Sequence, residues 1–265
     1  MTEKAILYDA TLCTGCRGCQ VACKSWNGLS GETTTNRGSY ENPPSLSSDT
    51  WLKIGFAETD HGGKPGWLFT RQACMHCTGA VCLEVCPTKA VYRNANGFVS
   101  YDRDLCSGCG YCTDFCPFRA PQGDRNVLTG NARMDKCTMC TSPGSDRIGD
   151  GELPACVKTC PTGALVFGDR DRLVSDGKAR VSSLAANGSP DAYLYGEKEM
   201  RGLHVLYVLG DRPAAYGLPE NPEAPPLVLA WKDIVQPLGW FVGAATLLGL
   251  SMNYIVARAN VKKEE

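Results

Sequence analysis

Sixteen cysteines stand in four groups of four, and most lie two or three residues from the next. Cys13, Cys16, Cys19 and Cys23 form a tight run, and Cys106, Cys109, Cys112 and Cys116 repeat its spacing. Cys74, Cys77, Cys82 and Cys86 form a split run, with two extra residues before the third cysteine. Cys137, Cys140, Cys156 and Cys160 form a second split run, opened by a fifteen-residue gap. Proline follows Cys86, Cys116 and Cys160, whereas Lys24 follows Cys23. Thiolates are soft metal ligands, and crowding of this kind is ligand spacing rather than crosslink spacing. Disulfide frameworks belong mainly to short secreted chains. Zinc favours paired C-x2-C knuckles, without a third and fourth cysteine in the same run. A zinc-stapled structural module is therefore the distant rival reading.

The tight runs read C-x2-C-x2-C-x3-C, the ferredoxin spacing for [4Fe–4S] cubanes. Such a cluster takes three thiolates from one local loop and a fourth from elsewhere. In two-cluster ferredoxins that fourth ligand comes from the other run. Sixteen cysteines supply four clusters with none left over. Runs two and three, joined by a hairpin, pair most simply, which leaves runs one and four for the other unit. Spacing leaves open the pairing of one with two and three with four. Four clusters in about 160 residues make an electron wire. No residue set for substrate chemistry stands out, and no nucleotide-binding glycine loop follows a strand.

The remaining polar residues are secondary. His76 lies between two ligands, where a packed or solvated role outweighs cluster tuning; His61 and His204 stand apart. Arg17, Lys24, Arg119, Lys136 and Lys158 are cations near the runs and candidates for raising cluster potentials, with ordinary surface charge as the competing role. A net charge of −1 offers no basic field for nucleic acid.

The elements that must position the cysteines are short. A strand over 5–8 delivers the chain into run one. Residues 24–50 read as a long loop rich in turn formers. Residues 51–56 and 67–70 read as two strands joined by turn residues at 60–66, and 90–92 and 97–101 as a hairpin turning at Asn96-Gly97. One helical turn places Cys82 and Cys86 on one face. The gap after Cys140, with Pro143, Gly144, Gly149 and Gly151, reads as a surface loop. Leu173, Val174, Val181 and Leu184 are spaced for one helix face over 169–187. Residues 203–209 read as a strand, and the prolines of 210–226 as an extended linker.

The final segment, Ile234 to Ala257, holds 24 residues without a charge. As a helix it spans roughly 36 Å, enough for a bilayer core. A buried core helix is the competing reading. Trp231, Trp240 and Tyr254 suit the two interfaces. Arg258, Lys262 and Lys263 follow the segment, whereas Lys232 upstream is balanced by Asp233, Glu220 and Glu223. By the positive-inside rule the tail is expected in the cytoplasm and the cluster domain in the periplasm. No signal peptide is visible, so export is expected to depend on a partner.

These features resemble the iron–sulfur subunits of membrane-bound molybdopterin oxidoreductases, and in particular the beta subunit of respiratory formate dehydrogenase. The resemblance rests on Cys-Arg-Gly-Cys-Gln-Val-Ala-Cys-Lys at 16–24, Asn42-Pro-Pro, Cys-Val-Lys-Thr-Cys-Pro-Thr-Gly-Ala at 156–164, Gly-Leu-His-Val-Leu-Tyr-Val-Leu at 202–209 and Gly217-Leu-Pro. It covers almost the whole chain.

The resemblance implies an α+β fold of two pseudo-symmetric ferredoxin-like units, one nested in the other, with four cubane clusters and one C-terminal transmembrane helix. The units would be 1–73 with 117–200, the inserted unit 74–116, a strand and linker at 201–229, an anchor at 230–258 and a cytoplasmic tail at 259–265. One cluster would be held by Cys13, Cys16, Cys19 and Cys160, and its neighbour by Cys23, Cys137, Cys140 and Cys156. A third would use Cys74, Cys77, Cys82 and Cys116, and the fourth Cys86, Cys106, Cys109 and Cys112. In some relatives the position of Cys109 is not cysteine and the cluster changes type; here cysteine implies four cubanes.

Electrons would enter at the first cluster and leave at the fourth, nearest the membrane. The implied partners are a catalytic subunit with molybdenum or tungsten bis-pterin, and a cytochrome b or other membrane subunit passing electrons to quinone, with room for a higher oligomer. The expected role is electron transfer in anaerobic respiration, without a catalytic site in this chain. The nearest rival is the same relay serving another oxidoreductase of a sulfur compound or nitrate, or a hydrogenase.

Overall fold

The computed structural model describes residues 3–60, 65–123, 133–142, 144–225, 234 and 236–264. Its strands, in chain order, are β1 (Lys4–Asp9), β2 (Leu52–Asp60), β3 (Pro65–Ala73), β4 (Val91–Arg93), β5 (Val99–Tyr101), β6 (Gln122–Gly123), β7 (Met134–Asp135), β8 (Thr141–Ser142), β9 (Ser145–Asp146), β10 (Leu165–Asp169), β11 (Tyr193–Tyr195) and β12 (Val205–Leu209). The α-helices are α1 (Gly18–Asn27), α2 (Val81–Glu84), α3 (Tyr111–Asp114), α4 (Ala155–Lys158), α5 (Arg170–Ala186) and α6 (Gln236–Glu264). They divide into two compact units, Met1–Glu223 and Ala224–Glu265.

Strand alternation organises the first unit. A four-stranded sheet has the order β10-β1-β12-β11. β1 runs antiparallel to β10 and parallel to β12. On one face Ala5 and Leu7 join Leu194, Leu206 and Val208 beneath α5, which contributes Leu173, Val174, Val181 and Leu184. These are the four positions that helical periodicity selects. Gly177 brings that helix close: a Cβ there would stand 2.7 Å from the Leu194 side chain. On the other face Tyr8 and Tyr207 meet edge to face with ring centroids 5.2 Å apart. The Tyr8 hydroxyl donates to the Phe69 carbonyl at 2.8 Å, and the Tyr207 hydroxyl donates to the Arg71 carbonyl. The sheet thus holds β3, and β3 leads directly into Cys74.

The β2–β3 hairpin is longer than the alternation of aromatic residues suggests, pairing Leu52 with Ala73 through to Asp60 with Pro65. Its expected turn residues 61–64 lie outside the described residues. β4 and β5 pair as expected, with Val91 opposite Tyr101. Two stretches expected to be loop or linker carry structure. The gap after Cys140 holds the β8–β9 hairpin, while Pro143 lies outside the described residues. The proline-rich stretch from 210 begins with a 3-10 turn, Pro213–Tyr216, whose Tyr216 is buried and accepts a 2.9 Å hydrogen bond from Thr70 at its carbonyl. Proline fixes φ at values suited to a turn as well as to an extended chain, and the buried tyrosine decides between them.

The second unit contains α6. Pro237–Arg258 of this helix is 22 residues long and apolar enough to cross a membrane; at 1.5 Å per residue it spans about 33 Å. Its described side chains are exposed. Pro226, Trp231, Lys232 and Asp233, together with the side chains of Lys262 and Lys263, lie outside the described residues.

Candidate metal centres

The C-x-x-C turn that opens each run places its third residue in the left-handed region: Gly15 at φ 65°, His76 at 48°, Gly108 at 71° and Met139 at 58°. At Gly15 a Cβ would meet the Phe69 ring at 2.7 Å, so both space and backbone demand glycine. His76 and Met139 adopt this conformation without glycine and are held by near-complete burial. The turns aim N–H groups at sulfur: Gly15 donates to Cys13 Sγ, Met139 to Cys137 Sγ and, from β7, Met134 to Cys106 Sγ, each at 3.4 Å. Such bonds stabilise thiolate and raise the potential of a bound cluster.

The later cysteines of each run ride on helical turns. Three of these helices, α2, α3 and α4, have four residues and stop before Cys86-Pro87, Cys116-Pro117 and Cys160-Pro161. The residue three beyond each of these cysteines again has positive φ, at Lys89, Arg119 and Gly163. Lys24 has the N–H that proline lacks, so α1 continues past Cys23 to Asn27. Asn27 then donates to the Cys23 carbonyl at 2.8 Å and approaches Cys23 Sγ at 3.7 Å.

The folded chain gathers cysteines distant in sequence. Cys23, Cys137, Cys140 and Cys156 line one cavity, and Cys86, Cys106, Cys109 and Cys112 line another. Burial pushes the Cys23 thiol well up, and the charges of Cys137, Cys156 and Cys140 push it further. Cys77 is raised by burial first, then by Cys74, Cys116 and Cys82. Cys112 is raised to about 11 by burial, with Cys109, Cys106 and Cys86 adding to it. Cys19 is raised to about 12 by burial, against the pull of Arg71, with Cys156, Cys13 and Cys16 raising it further. A Cβ at Gly18 would lie 3.7 Å from Cys16 Sγ and 3.8 Å from the Thr159 carbonyl, which sets the neighbour of Cys160 beside run one. All sixteen cysteines are free thiols.

Among the described residues no three His, Cys, Asp or Glu side chains converge as ligands of one metal ion. The donor set suits a group several atoms wide, whose binding would displace the protons that burial retains. Cys16 and Cys109 are exposed, whereas Cys19, Cys23, Cys74, Cys112, Cys137, Cys140 and Cys156 are buried.

The cations singled out in sequence separate sharply. Lys136 is fully buried; its Nζ donates to the Val99 and Cys137 carbonyls, the latter at 3.1 Å. Arg17 stacks over the Phe56 ring at 4.8 Å, and Lys24 donates to the Ser30 carbonyl at 2.8 Å and the Asp49 carbonyl at 2.5 Å. Arg119 and Lys158 are exposed. His76 is fully buried and held well below its ordinary pKa, first by burial and then by Lys136, so it is packed and neutral. The buried His204 ring meets the Lys4 carbonyl at 2.8 Å through Nδ1, and His61 lies outside the described residues. Sequence reading missed Arg71, which is 1 % exposed on β3. Its signal was the single charge in β3, three residues before a ligand.

Residues 65–170 match a family described as a 4Fe-4S dicluster domain, and residues 224–265 one described as formate dehydrogenase N, transmembrane. The formate dehydrogenase-O iron–sulfur subunit of Escherichia coli K12 is 40% identical, over 99% of this chain and 86% of its own length. The iron–sulfur subunit of nitrate-inducible formate dehydrogenase from the same organism is also 40% identical, over 96% of this chain and 85% of its own. The hydrogenase-2 operon protein HybA of Escherichia coli O157:H7 is 33% identical, over 77% of this chain and 69% of its own.

Proposed function

The chain belongs to the family of formate dehydrogenase iron–sulfur subunits, and we propose that it holds four [4Fe–4S] clusters in series, linking a formate-oxidising catalytic subunit to the membrane. When bound, each cluster supplies one-electron redox chemistry. The protein's part is to hold the sites in order, shield them from water and set their potentials.

The proposed quartets are Cys13, Cys16, Cys19 with Cys160; Cys23 with Cys137, Cys140, Cys156; Cys74, Cys77, Cys82 with Cys116; and Cys86 with Cys106, Cys109, Cys112. The single observation that carries this reading is the convergence of Cys23, Cys137, Cys140 and Cys156 on one cavity. It joins run one to run four, and so favours the nested pairing over the sequential one. The order of the series is supported where neighbouring quartets touch electrostatically: Cys19 with Cys156, Cys74 with Cys137, and Cys82 with Cys112. The recurring positive φ after C-x and C-P-x supports two pseudo-symmetric ferredoxin-like units.

The proposed domains are 1–73 with 117–200, 74–116 inserted, and an anchor at 230–258. The apolar helix supports membrane attachment, and the positive charges after it favour a cytoplasmic tail and a periplasmic cluster domain. The proposed partners are a molybdenum or tungsten pterin subunit and a cytochrome b or equivalent quinone-linked subunit.

The similarity to HybA favours a second reading, the same relay in a hydrogenase complex. Co-purification of the native complex followed by formate- and hydrogen-dependent dye reduction separates the two. Formate activity is expected; hydrogen activity without formate activity would overturn the choice.

A further inference from the structure

Arg71 is a permanent cation, 1 % exposed, beside the cysteine sites. It sits on β3 opposite Ile54, and its carbonyl accepts from Tyr207. Its Nε, Nη1 and Nη2 are all buried without a partner of regular hydrogen-bond geometry among the described residues, and the polar groups within reach of the guanidinium are the Cys156 thiol and the Tyr207 hydroxyl. A guanidinium carries five N–H donors and a permanent charge, and burying both unpaired is strongly unfavourable. The side chain lines the same cavity as Cys23, Cys137, Cys140 and Cys156, and no Asp or Glu lines it. Sulfur supplies the counter-charge there, Cys156 foremost. Lys136, the other fully buried cation by the sites, differs because backbone carbonyls accept its hydrogen bonds. Asn27 and the Met139 N–H already direct donors at Cys23 and Cys137 in this cavity.

We propose that Arg71 is a potential-setting residue of the second site, its guanidinium donating N–H···S hydrogen bonds to the sulfurs of Cys23, Cys137, Cys140, Cys156 and their cluster. The proposal rests on the four-site reading and deepens it. A fixed positive charge in a dry site favours the more negative, reduced state, so Arg71 raises the reduction potential there. The same charge screens the second site from the first, because it also lies within electrostatic reach of Cys19.

The test is an EPR-monitored redox titration, with iron counting, of the native complex carrying wild-type chain, Arg71→Gln or Arg71→Lys. Arg71→Gln is expected to keep its iron. At the poise where the wild-type cluster is half reduced, its reduced-to-oxidised ratio should fall about tenfold, which is about 59 mV for a one-electron couple. Arg71→Lys keeps the charge and should hold that midpoint close to wild type. Full iron in Arg71→Gln with every midpoint unmoved would overturn the proposal while leaving the four-site reading intact. A shift in Arg71→Lys as large as in Arg71→Gln would also overturn it, since shape rather than charge would then matter. If Arg71→Gln loses iron, Arg71→Lys decides: iron retained at the wild-type midpoint supports a charge role, and iron lost in both variants contradicts it. Wild-type iron well below about sixteen atoms would overturn the four-site reading itself.

Discussion

The two outer and two inner sites of the proposed relay draw on the two kinds of cysteine run in opposite ways. On the proposed assignment each outer site takes three cysteines from a tight run and the last cysteine of a split run. Each inner site takes three from a split run and the last of a tight run. The exposed thiols, Cys16 and Cys109, are the second cysteines of the two tight runs, while Cys23, Cys137, Cys140 and Cys156 are all buried. A tight run presents three donors from one short loop and so can stand at the surface, where the proposed relay would take up and release electrons. A split run must fold an excursion back over its own site. In run four that excursion holds the β8–β9 hairpin and Arg147, which stacks over Trp26 at 4.4 Å. The spacing of the runs thus goes with exposure at Cys16 and Cys109 and with full burial at the quartet of Cys23, Cys137, Cys140 and Cys156.

The largest expected contrast is between one inner and one outer ligand. Cys109→Ala should remove about four of sixteen irons and leave a folded chain. Cys156→Ala takes away the leading charge partner of the buried Arg71, and breaking such a pair costs about 3–5 kcal/mol. It should therefore lower the yield of folded protein as well as the iron content. Equal losses in the two variants, read by iron per chain and soluble yield, would show that inner and outer ligands are buried to the same effect.

The next contrast concerns run one alone. Lys24→Pro would give Cys23 the proline that follows the last cysteine of every other run. The helix would then stop early, at a cost of about 3 kcal/mol, and Asn27 would leave the cavity lined by Cys23, Cys137, Cys140 and Cys156. Thermal stability should fall, and chelators should extract the second site before the first. Wild-type behaviour would show that the longer α1 does not protect this site.

A smaller effect follows from the thiols. In the iron-free chain Cys112 and Cys116 are raised from an ordinary value near 9 to about 11, and Cys82 and Cys140 to about 12, in each case chiefly by burial. The folded form therefore holds these protons more tightly than the unfolded form. Its stability is full below about pH 9 and is lost as pH rises through about 11 to 12. Melting curves of chelator-stripped and loaded protein from pH 7 upward should diverge, with only the stripped protein losing stability. Parallel curves would count against buried, mutually repelling thiols.

Much of this was legible in the cysteines themselves, because ligand spacing is local chemistry. Leu173, Val174, Val181 and Leu184 likewise announced α5, because its apolar face repeats along one helix. The parallel pairing of β1 with β12 was not legible: it joins Ile6 to Val205 across the whole body, and neither strand carries a mark of its partner. Arg71 went unmarked in the sequence, and Lys136 was a tuning candidate with surface charge as its rival, since a cation's burial depends on what the fold brings beside it. The stretch from 210 looked extended because its prolines outweighed Tyr216, whose burial is a tertiary fact.

Four clusters in one chain is a countable proposal. Iron and acid-labile sulfide counted on the native complex, after subtracting the partners' content and alongside EPR of the as-isolated and dithionite-reduced states, test it directly. About sixteen irons and sixteen sulfides per chain, with no three-iron signal as isolated, is the predicted result. A count near eight, a three-iron signal in fresh protein, or a colourless chain rich in zinc would contradict it.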